Sequence, residues 1–519
     1  MIIIVDFGSQ TTHLIARRLK EIGIQTSITD PDDTLKKIKK RKTQGIILSG
    51  GPASVYEKAA PTINKDIFNL RIPILGICYG MQLTAHLLGG KVVSGKKEYG
   101  PTILQMANGK WQMANKLPKQ FTVWMSHGDG IVKLPKDFKV IGSSDSVPFA
   151  FVENKKRKIF GLQFHPEVEH TEHGLQILKN FVDICGLRAS LTIQTKIKNQ
   201  KSKIKIKELE ENIKKIVGEK DYVLGAVSGG VDSTVAAALT AKAIGKKFIP
   251  IYVDNGLMRE GTEEHVIKIF KKIGIKPVIV NAVGETLLEL KKITDSEQKR
   301  KIIGNLYIKI FEREMKKMKA QKLPVRHLLQ GTIYSDVIES QGTKNSAKIK
   351  SHHNVGGLPK KMKLKLLEPM RNFYKDEVRK IGRELGLPEE FINKQPFPGP
   401  GYAVRIRGEV TEERLRMEKK ADEIVLSELE KAGILPQVFL SFPVMTNAFS
   451  TAVKGDGRQF GEVVALRIVD SKDIMTSTWS RIPYGILQKI SSRIVNEVSG
   501  VSRVVYDITT KPPATMEWE

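Results

Sequence analysis

Ile72-Pro-Ile-Leu-Gly-Ile-Cys-Tyr-Gly-Met-Gln82 runs an apolar, β-branched stretch directly into a cysteine set between two glycines. The apolar half reads as a strand and the residues after Cys78 as a helix. Gly76 and Gly80 permit a tight, strained turn, so Cys78 sits on an elbow of the kind that presents a nucleophile. A thiol at a helix N-terminus also feels the positive end of the helix dipole, which favours the thiolate. Cys185, in Val182-Asp-Ile-Cys-Gly186, has neither the paired glycines nor the strand-to-helix context and reads as packing. Working outward, Ile2 to Val5 and Gly45 to Leu48 repeat the pattern of β-branched run, Gly-rich loop and helix. Residues up to about Leu187 are therefore expected to be α/β with a mainly parallel sheet.

A reactive thiol needs a base and a group that orients the base. Gly161-Leu-Gln-Phe-His-Pro-Glu167 supplies His165 and Glu167 just after another apolar run, which completes a Cys-His-Glu set from two separate segments.

A second α/β pattern begins at Tyr222 to Val227 and continues through Phe248 to Val253 and Val278 to Val280. After its first strand comes Ser228-Gly229-Gly230-Val231-Asp232-Ser233, followed by Thr234 and an alanine-rich helix. A Gly-rich turn at a helix N-terminus exposes backbone donors to phosphate, although a lone SGG is as ordinary as any strand-to-helix turn. Asp254, after the next strand, faces either a nucleotide at the strand's C-terminal edge or its own turn. The classical P-loop is missing: Gly90-Lys-Val-Val-Ser-Gly-Lys-Lys97 carries lysine where Ser or Thr is required. Pro396 to Gly401, PFPGPG, excludes helix and central strand. Beyond it, Val463 to Val469 and Ser502 to Ile508 read as strands around a helix at Tyr484 to Val498, an α+β pattern. A chain of 519 residues is too long for one core. The expected division is a first α/β domain over 1–190, a basic linker over 191–206, a second α/β domain over 207–400 and a C-terminal α+β domain over 401–519.

Two cysteines cannot build a disulfide framework, and no signal sequence precedes Ile2 to Val5, so the cytoplasm is the expected compartment. No apolar run approaches the roughly 20 residues that span a bilayer, so no membrane partner is expected. The net charge of +29 opens a rival reading, a nucleic-acid-binding or tRNA-modifying protein. The excess is scattered lysine, such as Lys36, Lys37, Lys316 and Lys317, without regularly interleaved aromatics to stack bases. A solvated basic surface and no nucleic-acid partner is the favoured expectation.

GICYGMQ and HPE, together with LSGGP at Leu48 to Pro52 and MSHGD at Met125 to Asp129, resemble the class I glutamine amidotransferases. That resemblance implies a glutamyl thioester on Cys78, acid and base work by His165, and Glu167 holding the imidazole. Backbone N–H groups near Gly51 and Tyr79 would hold the oxyanion. SGGVDS resembles the PP-loop of ATP pyrophosphatases, which grip the β,γ-phosphates while a nucleophile attacks the α-phosphorus. A charge-dense pyrophosphate leaving group calls for Mg²⁺, with Asp232 among the nearby carboxylates.

Over nearly the whole chain, QGTIYSDVIES at Gln330 to Ser340, HHNVGGLP at His352 to Pro359, QPFPGPG at Gln395 to Gly401 and SRVVYDITTKPPATMEWE at the end are similar to the GMP synthetase family. The similarity implies XMP, ATP and glutamine as substrates, an adenylated XMP intermediate displaced by ammonia, and AMP and pyrophosphate as by-products. It implies Arg300, Lys511 and Glu517 on XMP and a third domain that pairs two subunits into a homodimer. Pro512, Pro513 and Trp518 favour a packed tail, and HHNVGGLP reads as a lid whose His352 and His353 are not metal ligands. Departures from the family pattern fall in the run Thr11-Thr12-His13, at Pro101 after Gly100, and at Asn305.

Overall fold

The computed structural model describes residues 1–188, 206–334, 336–337, 364–454, 457–471 and 474–519. Of the 191–206 linker only Ile206 is among them, and the 352–359 segment expected as a lid lies outside the described residues.

The first sheet contains β1 (Ile2–Val5), β2 (Thr26–Thr29), β3 (Gly45–Leu48), β4 (Ile74–Ile77), β5 (Lys91–Met106), β6 (Gln120–Lys133), β7 (Lys139–Ser143), β8 (Phe151–Asn154) and β9 (Ile159–Leu162), in the order β2-β1-β3-β4-β9-β8-β7-β5-β6. Strands β1, β3, β4 and β9 are buried at every position because helices cover both faces. Ile2 and Ile4 point into one core with Ile15 and Phe181, while Ile3 and Val5 point into another with Tyr79 and Leu83, the period-two alternation of a strand. The sheet is parallel from β2 to β9 and antiparallel from β9 to β6. The second half follows from its connections: no helix lies between β5 and β9, and without a crossover successive strands must reverse. The near-miss P-loop at 90–97 runs into strand β5 rather than into a helix.

The second sheet is parallel throughout: β10 (Tyr222–Ala226), β11 (Phe248–Asp254), β12 (Val278–Asn281), β13 (Val325–Leu329) and β14 (Lys365–Leu367), ordered β12-β11-β10-β13-β14. The order reverses between β10 and β13. Loops leaving the C-terminal ends of two such strands diverge and leave a crevice, the usual ligand position in an open α/β sheet.

The third sheet is built on the long antiparallel pair β15 (Leu440–Lys454) and β16 (Gly457–Asp470). β17 (Thr478–Trp479) lies antiparallel to β16 and β18 (Val501–Tyr506) parallel to it. Helices Glu412–Lys431 and Tyr484–Glu497 share a core with this sheet, and Leu257, Leu290 and Ile303 from the middle of the chain enter the same core. Among the described residues no helix is long and apolar enough to cross a membrane.

Candidate active sites

Helix Tyr79–Leu87 starts one residue after β4 ends, so Cys78 alone makes the turn, at φ 50° and ψ −107°. A non-glycine residue in so sparse a region costs about 1–3 kcal/mol and persists only when its surroundings enforce it. Here they do. Cys78 N donates to Leu162 O at 2.7 Å and Gly80 N to Ser49 O at 3.0 Å, tying the elbow to the ends of β9 and β3. A Cβ on Gly76 would stand 2.7 Å from Gly80 O, and one on Gly80 would collide with Leu48 O, so both glycines are required by close approach.

His165 shares a hydrogen bond with Cys78, and its Nδ1 lies 2.8 Å from Oε1 of the fully buried Glu167. Burial opposes the imidazolium. The Glu167 charge and the bonds to Cys78 and Glu167 outweigh it and push His165 up to about 10. The imidazolium is thereby favoured, the form that has a proton to give to a leaving amine. The loop after β3 lies against it: a Cβ on Gly50 would be 3.2 Å from His165 Cε1, and one on Gly51 would be 2.7 Å from Phe7 O. Tyr79, the first residue of its helix, has an N–H with no carbonyl four residues back inside the helix.

Three polar residues around the thiol had no role in the sequence reading. Gln163 Nε2 donates to Cys78 Sγ at 3.7 Å, and Gln82 Nε2 donates to Asp129 O at 2.9 Å and to Gln163 Oε1 at 3.3 Å. His127, buried, has Nδ1 3.0 Å from Asp129 O and Nε2 3.6 Å from Glu98, and burial pushes its pKa down against the pull of Glu98. The available signal was polarity inside otherwise apolar stretches. Cys185 packs against Gly45, and burial pushes its thiol up to about 12, the behaviour of a small core hydrophobe.

The second site lies at the strand-order reversal. Loop 228–233 leaves β10, turns through Gly229 at φ 73° and enters helix Val231–Ile244. A Cβ on Gly229 would meet Thr262 Cγ2 at 2.5 Å. Ser228 Oγ lies 3.1 Å from Ser233 Oγ, which donates to Gly230 O at 3.1 Å, so the loop is braced by its own hydroxyls. Gly331, after β13, touches it so closely that a Cβ would stand 2.6 Å from Ser233 Cα. Thr234 is buried beneath, and Asp232 Oδ2 accepts from Lys375 Nζ at 3.3 Å.

A cleft of about 580 Å³ opens here, and loop 228–233, Arg300 and Glu517 all line it. Asp254 and Lys511 lie outside that lining. Asp254 Oδ1 accepts from Gly256 N at 2.9 Å, closing its own turn. Lys511 Nζ donates at 2.7 Å to the carbonyl of Ile474, which does line the cleft.

The tail is packed, as its prolines and Trp518 imply. The fully buried Arg467 donates to Met516 O, Thr515 O and Asp507, and Trp518 Nε1 donates to Asp507 Oδ2 at 2.6 Å. Glu517 accepts from Arg405 at 3.1 and 3.3 Å, and Arg300 Nε donates to Glu519 at 2.9 Å. Arg405 is itself fully buried, its guanidinium 4.6 Å from the Phe397 ring and 4.1 Å from that of Phe442.

The first sheet and its helices meet the rest of the chain through named contacts. His13 Nδ1 is 2.9 Å from Tyr334 Oη, and Arg17 reaches Asp376 at 3.0 Å while lying 4.3 Å from the Tyr374 ring. His13 is thus one of the positions where the sequence departs from the family pattern and it stands at a contact with the QGTIYSD segment.

Comparison with known proteins follows the same three parts. The class-I glutamine amidotransferase family matches residues 3–185, the NAD synthase family residues 203–332, and the GMP synthase C-terminal domain residues 427–518. Over its full length the chain is 49% identical to a glutamine-hydrolyzing GMP synthase of Aquifex aeolicus, covering 99% of that protein. It is 50% identical to the one of a Nitratiruptor species and 48% to that of Clostridium perfringens, each over all of this chain and 99% of the relative.

Proposed function

The chain belongs to the glutamine-hydrolysing GMP synthases, ATP-dependent ligases, and from that premise we propose how its residues divide the reaction. Cys78, its thiol proton passed to the hydrogen-bonded His165, attacks the side-chain carboxamide carbon of glutamine while the backbone N–H groups of Gly51 and Tyr79 hold the oxyanion. His165 gives its proton to the departing ammonia, leaving a glutamyl thioester. It then takes a proton from the water that frees glutamate. Glu167 fixes the imidazole throughout.

In the second site, loop 228–233 cradles the β,γ-phosphates of ATP with Thr234 buried beneath it as support, and Asp254 sits at the neighbouring strand end. Arg300, Glu517 and Lys511 hold XMP. An oxygen of the purine ring attacks the α-phosphorus and pyrophosphate leaves. Ammonia adds to the activated carbon and AMP departs, giving GMP.

Mg²⁺ fits the donor set. Asp232 Oδ1 is buried with no hydrogen-bond partner, while no group of three or more His, Cys, Asp or Glu gathers as a metal cage among the described residues. Mg²⁺ is commonly held by one or two carboxylates plus substrate phosphates, so Asp232 would share it with ATP. The ion would neutralise charge on the leaving pyrophosphate.

The single observation that carries this reading is that the phosphate loop and two of the three XMP candidates line one cleft. Incubation with glutamine, ATP, XMP and Mg²⁺ tests it: GMP, AMP, pyrophosphate and glutamate should appear in equal amounts. Accumulation of ADP and phosphate would refute it. The rival nucleic-acid reading has only the net charge behind it.

We further assign the division 1–190, 207–400 and 401–519 to glutaminase, synthetase and XMP-binding domains, the enzyme to the cytoplasm, and its assembly to a homodimer through the third domain. For the dimer, Phe449 and Phe460 support the reading: they stack at 5.6 Å on β15 and β16 while 52% and 73% exposed. Lys511→Ala should weaken XMP about ten- to a hundredfold and ATP far less, the loss of one charge-assisted hydrogen bond to phosphate. Isothermal titration of both nucleotides checks this once the variant is shown to keep the wild-type assembly. Unchanged XMP affinity would make Lys511 structural.

A further inference from the structure

The third domain sends one short segment, 474–477, between the two sites. On its inner side the main chain holds the tail: Ser477 N donates to Lys511 O at 3.0 Å, Lys511 N to Ser477 O at 2.8 Å, and Lys511 Nζ to Ile474 O at 2.7 Å. Ser471 closes the turn, its Oγ accepting from Ile474 N at 3.0 Å and donating to Thr476 O at 2.6 Å.

The outer side faces the glutaminase. Met475 packs in one apolar cluster with Leu14, Trp124 and Val168, and Thr476 Oγ1 is 2.8 Å from His170 Nδ1. His170 in turn lies ring to ring with Trp124 at 4.8 Å. These are the residues on which the triad's backbone rests. His165 N donates to Trp124 O at 3.1 Å, Trp124 N to Thr171 Oγ1 at 3.0 Å, and Thr171 Oγ1 back to His165 O at 2.6 Å, a closed loop around the base. Val168 directly follows Glu167. Gly100, on β5 opposite Met125, the residue after Trp124, would bring a Cβ 3.4 Å from Thr510 Oγ1, one residue from Lys511.

We propose that segment 474–477 is a positioning element shared by both sites: its main chain sets Lys511, and Met475 with Thr476 sets the shelf that aligns His165 and Glu167. Rigid, closely packed contacts transmit a shift rather than absorb it, so a tail moved by XMP moves the shelf under the base. Neither Met475 nor Thr476 lines the cleft of the second site. They act through Trp124 and His170 on one side and through Lys511 on the other, and the inference rests on the assignment of those two sites.

The test uses the full-length enzyme and compares Thr476→Val, which keeps the shape and removes the hydroxyl, with Met475→Ala and Met475→Leu. GMP formation is measured with glutamine and with ammonium as nitrogen source, together with glutamate released per GMP made. The glutamine-dependent rate of Thr476→Val and Met475→Ala should fall roughly three- to thirtyfold, within the range expected for residues that couple two sites. The ammonium-dependent rate should hold, the glutamate-to-GMP ratio should depart from one, and Met475→Leu should restore most of the loss. Equal losses with both nitrogen sources would reduce the segment to a structural support, and no loss with either would remove it from the mechanism; both outcomes overturn the proposal. Wild-type enzyme that fails to make GMP from either source would instead sink the underlying site assignment.

Discussion

Cys78→Ala should yield an enzyme that releases no glutamate from glutamine yet converts XMP to GMP at the normal rate when ammonium is supplied. Removing a nucleophile that acts as one unit with its base costs on the order of ten-thousandfold or more. No other thiol can substitute, because Cys185, the second cysteine, is buried against Gly45 of β3. The fold should tolerate the change, since alanine keeps the Cβ and removes only the sulfur that His165 and Gln163 contact. Cys185→Ala serves as the control and should leave both nitrogen sources usable. Steady-state rates with each nitrogen source settle the matter. A Cys78→Ala protein that is folded but loses ammonium-dependent synthesis as well would show that the thiol serves both reactions, contrary to the division proposed.

Asp232→Asn should reduce XMP-dependent pyrophosphate release about a hundredfold or more with ammonium as the nitrogen source, the scale of losing one preorganised charge at a phosphoryl-transfer site. Glutamine hydrolysis at Cys78 should remain measurable. Asparagine preserves the shape and can still accept a hydrogen bond from Lys375, and a partly exposed ion pair contributes about 1 kcal/mol or less, so the melting temperature should barely move. A loss of rate with an unchanged melt therefore reports chemistry. Pyrophosphate release within a few fold of wild type would remove Asp232 from the metal and phosphate site.

What could be read in the sequence was what neighbouring residues determine. The elbow at Cys78 and the loop at 228–233 are each a strand, a glycine and a helix in immediate succession, and both lie where that order places them. The strand at Gly45–Leu48 and the helix at Tyr484–Glu497 likewise follow local periodicity. The antiparallel half of the first sheet was not legible, since β5 pairs with β6 and β7 across turns whose direction depends on tertiary packing. Arginine is rarely fully buried unless paired, and nothing local marks Arg405 and Arg467, yet both are fully buried. What holds them is Glu517 and Asp507, 112 and 40 positions away, with Phe397 and Phe442 beside Arg405. Met475 against Trp124 is the same kind of case. A window of a dozen residues carries periodicity and caps; it carries nothing about partners that the folded chain brings from hundreds of positions away.

Leu257, Leu290 and Ile303 enter the core of the third sheet with Tyr402, Ile406 and Ile424, whereas the two cores of the first sheet draw on residues no further along than Leu187. For gene architecture this leaves a natural break point. Split between Arg188 and Ile206 into two polypeptides, the sequence would keep every large core whole. The downstream product would be an autonomous ammonia-using ligase, and the upstream one a separate subunit recruited to it chiefly through Met475, Thr476, Tyr334 and Asp376. Split near residue 400, the same gene would sever a single apolar core. Co-expression of the two kinds of fragment pair, scored by soluble yield and ammonium-dependent GMP formation, should recover activity only from the first; recovery from the second would show that the shared core is dispensable. A two-gene form of this enzyme and its one-gene form would then differ by a junction spanned by one small apolar cluster, Met475 with Leu14, Trp124 and Val168.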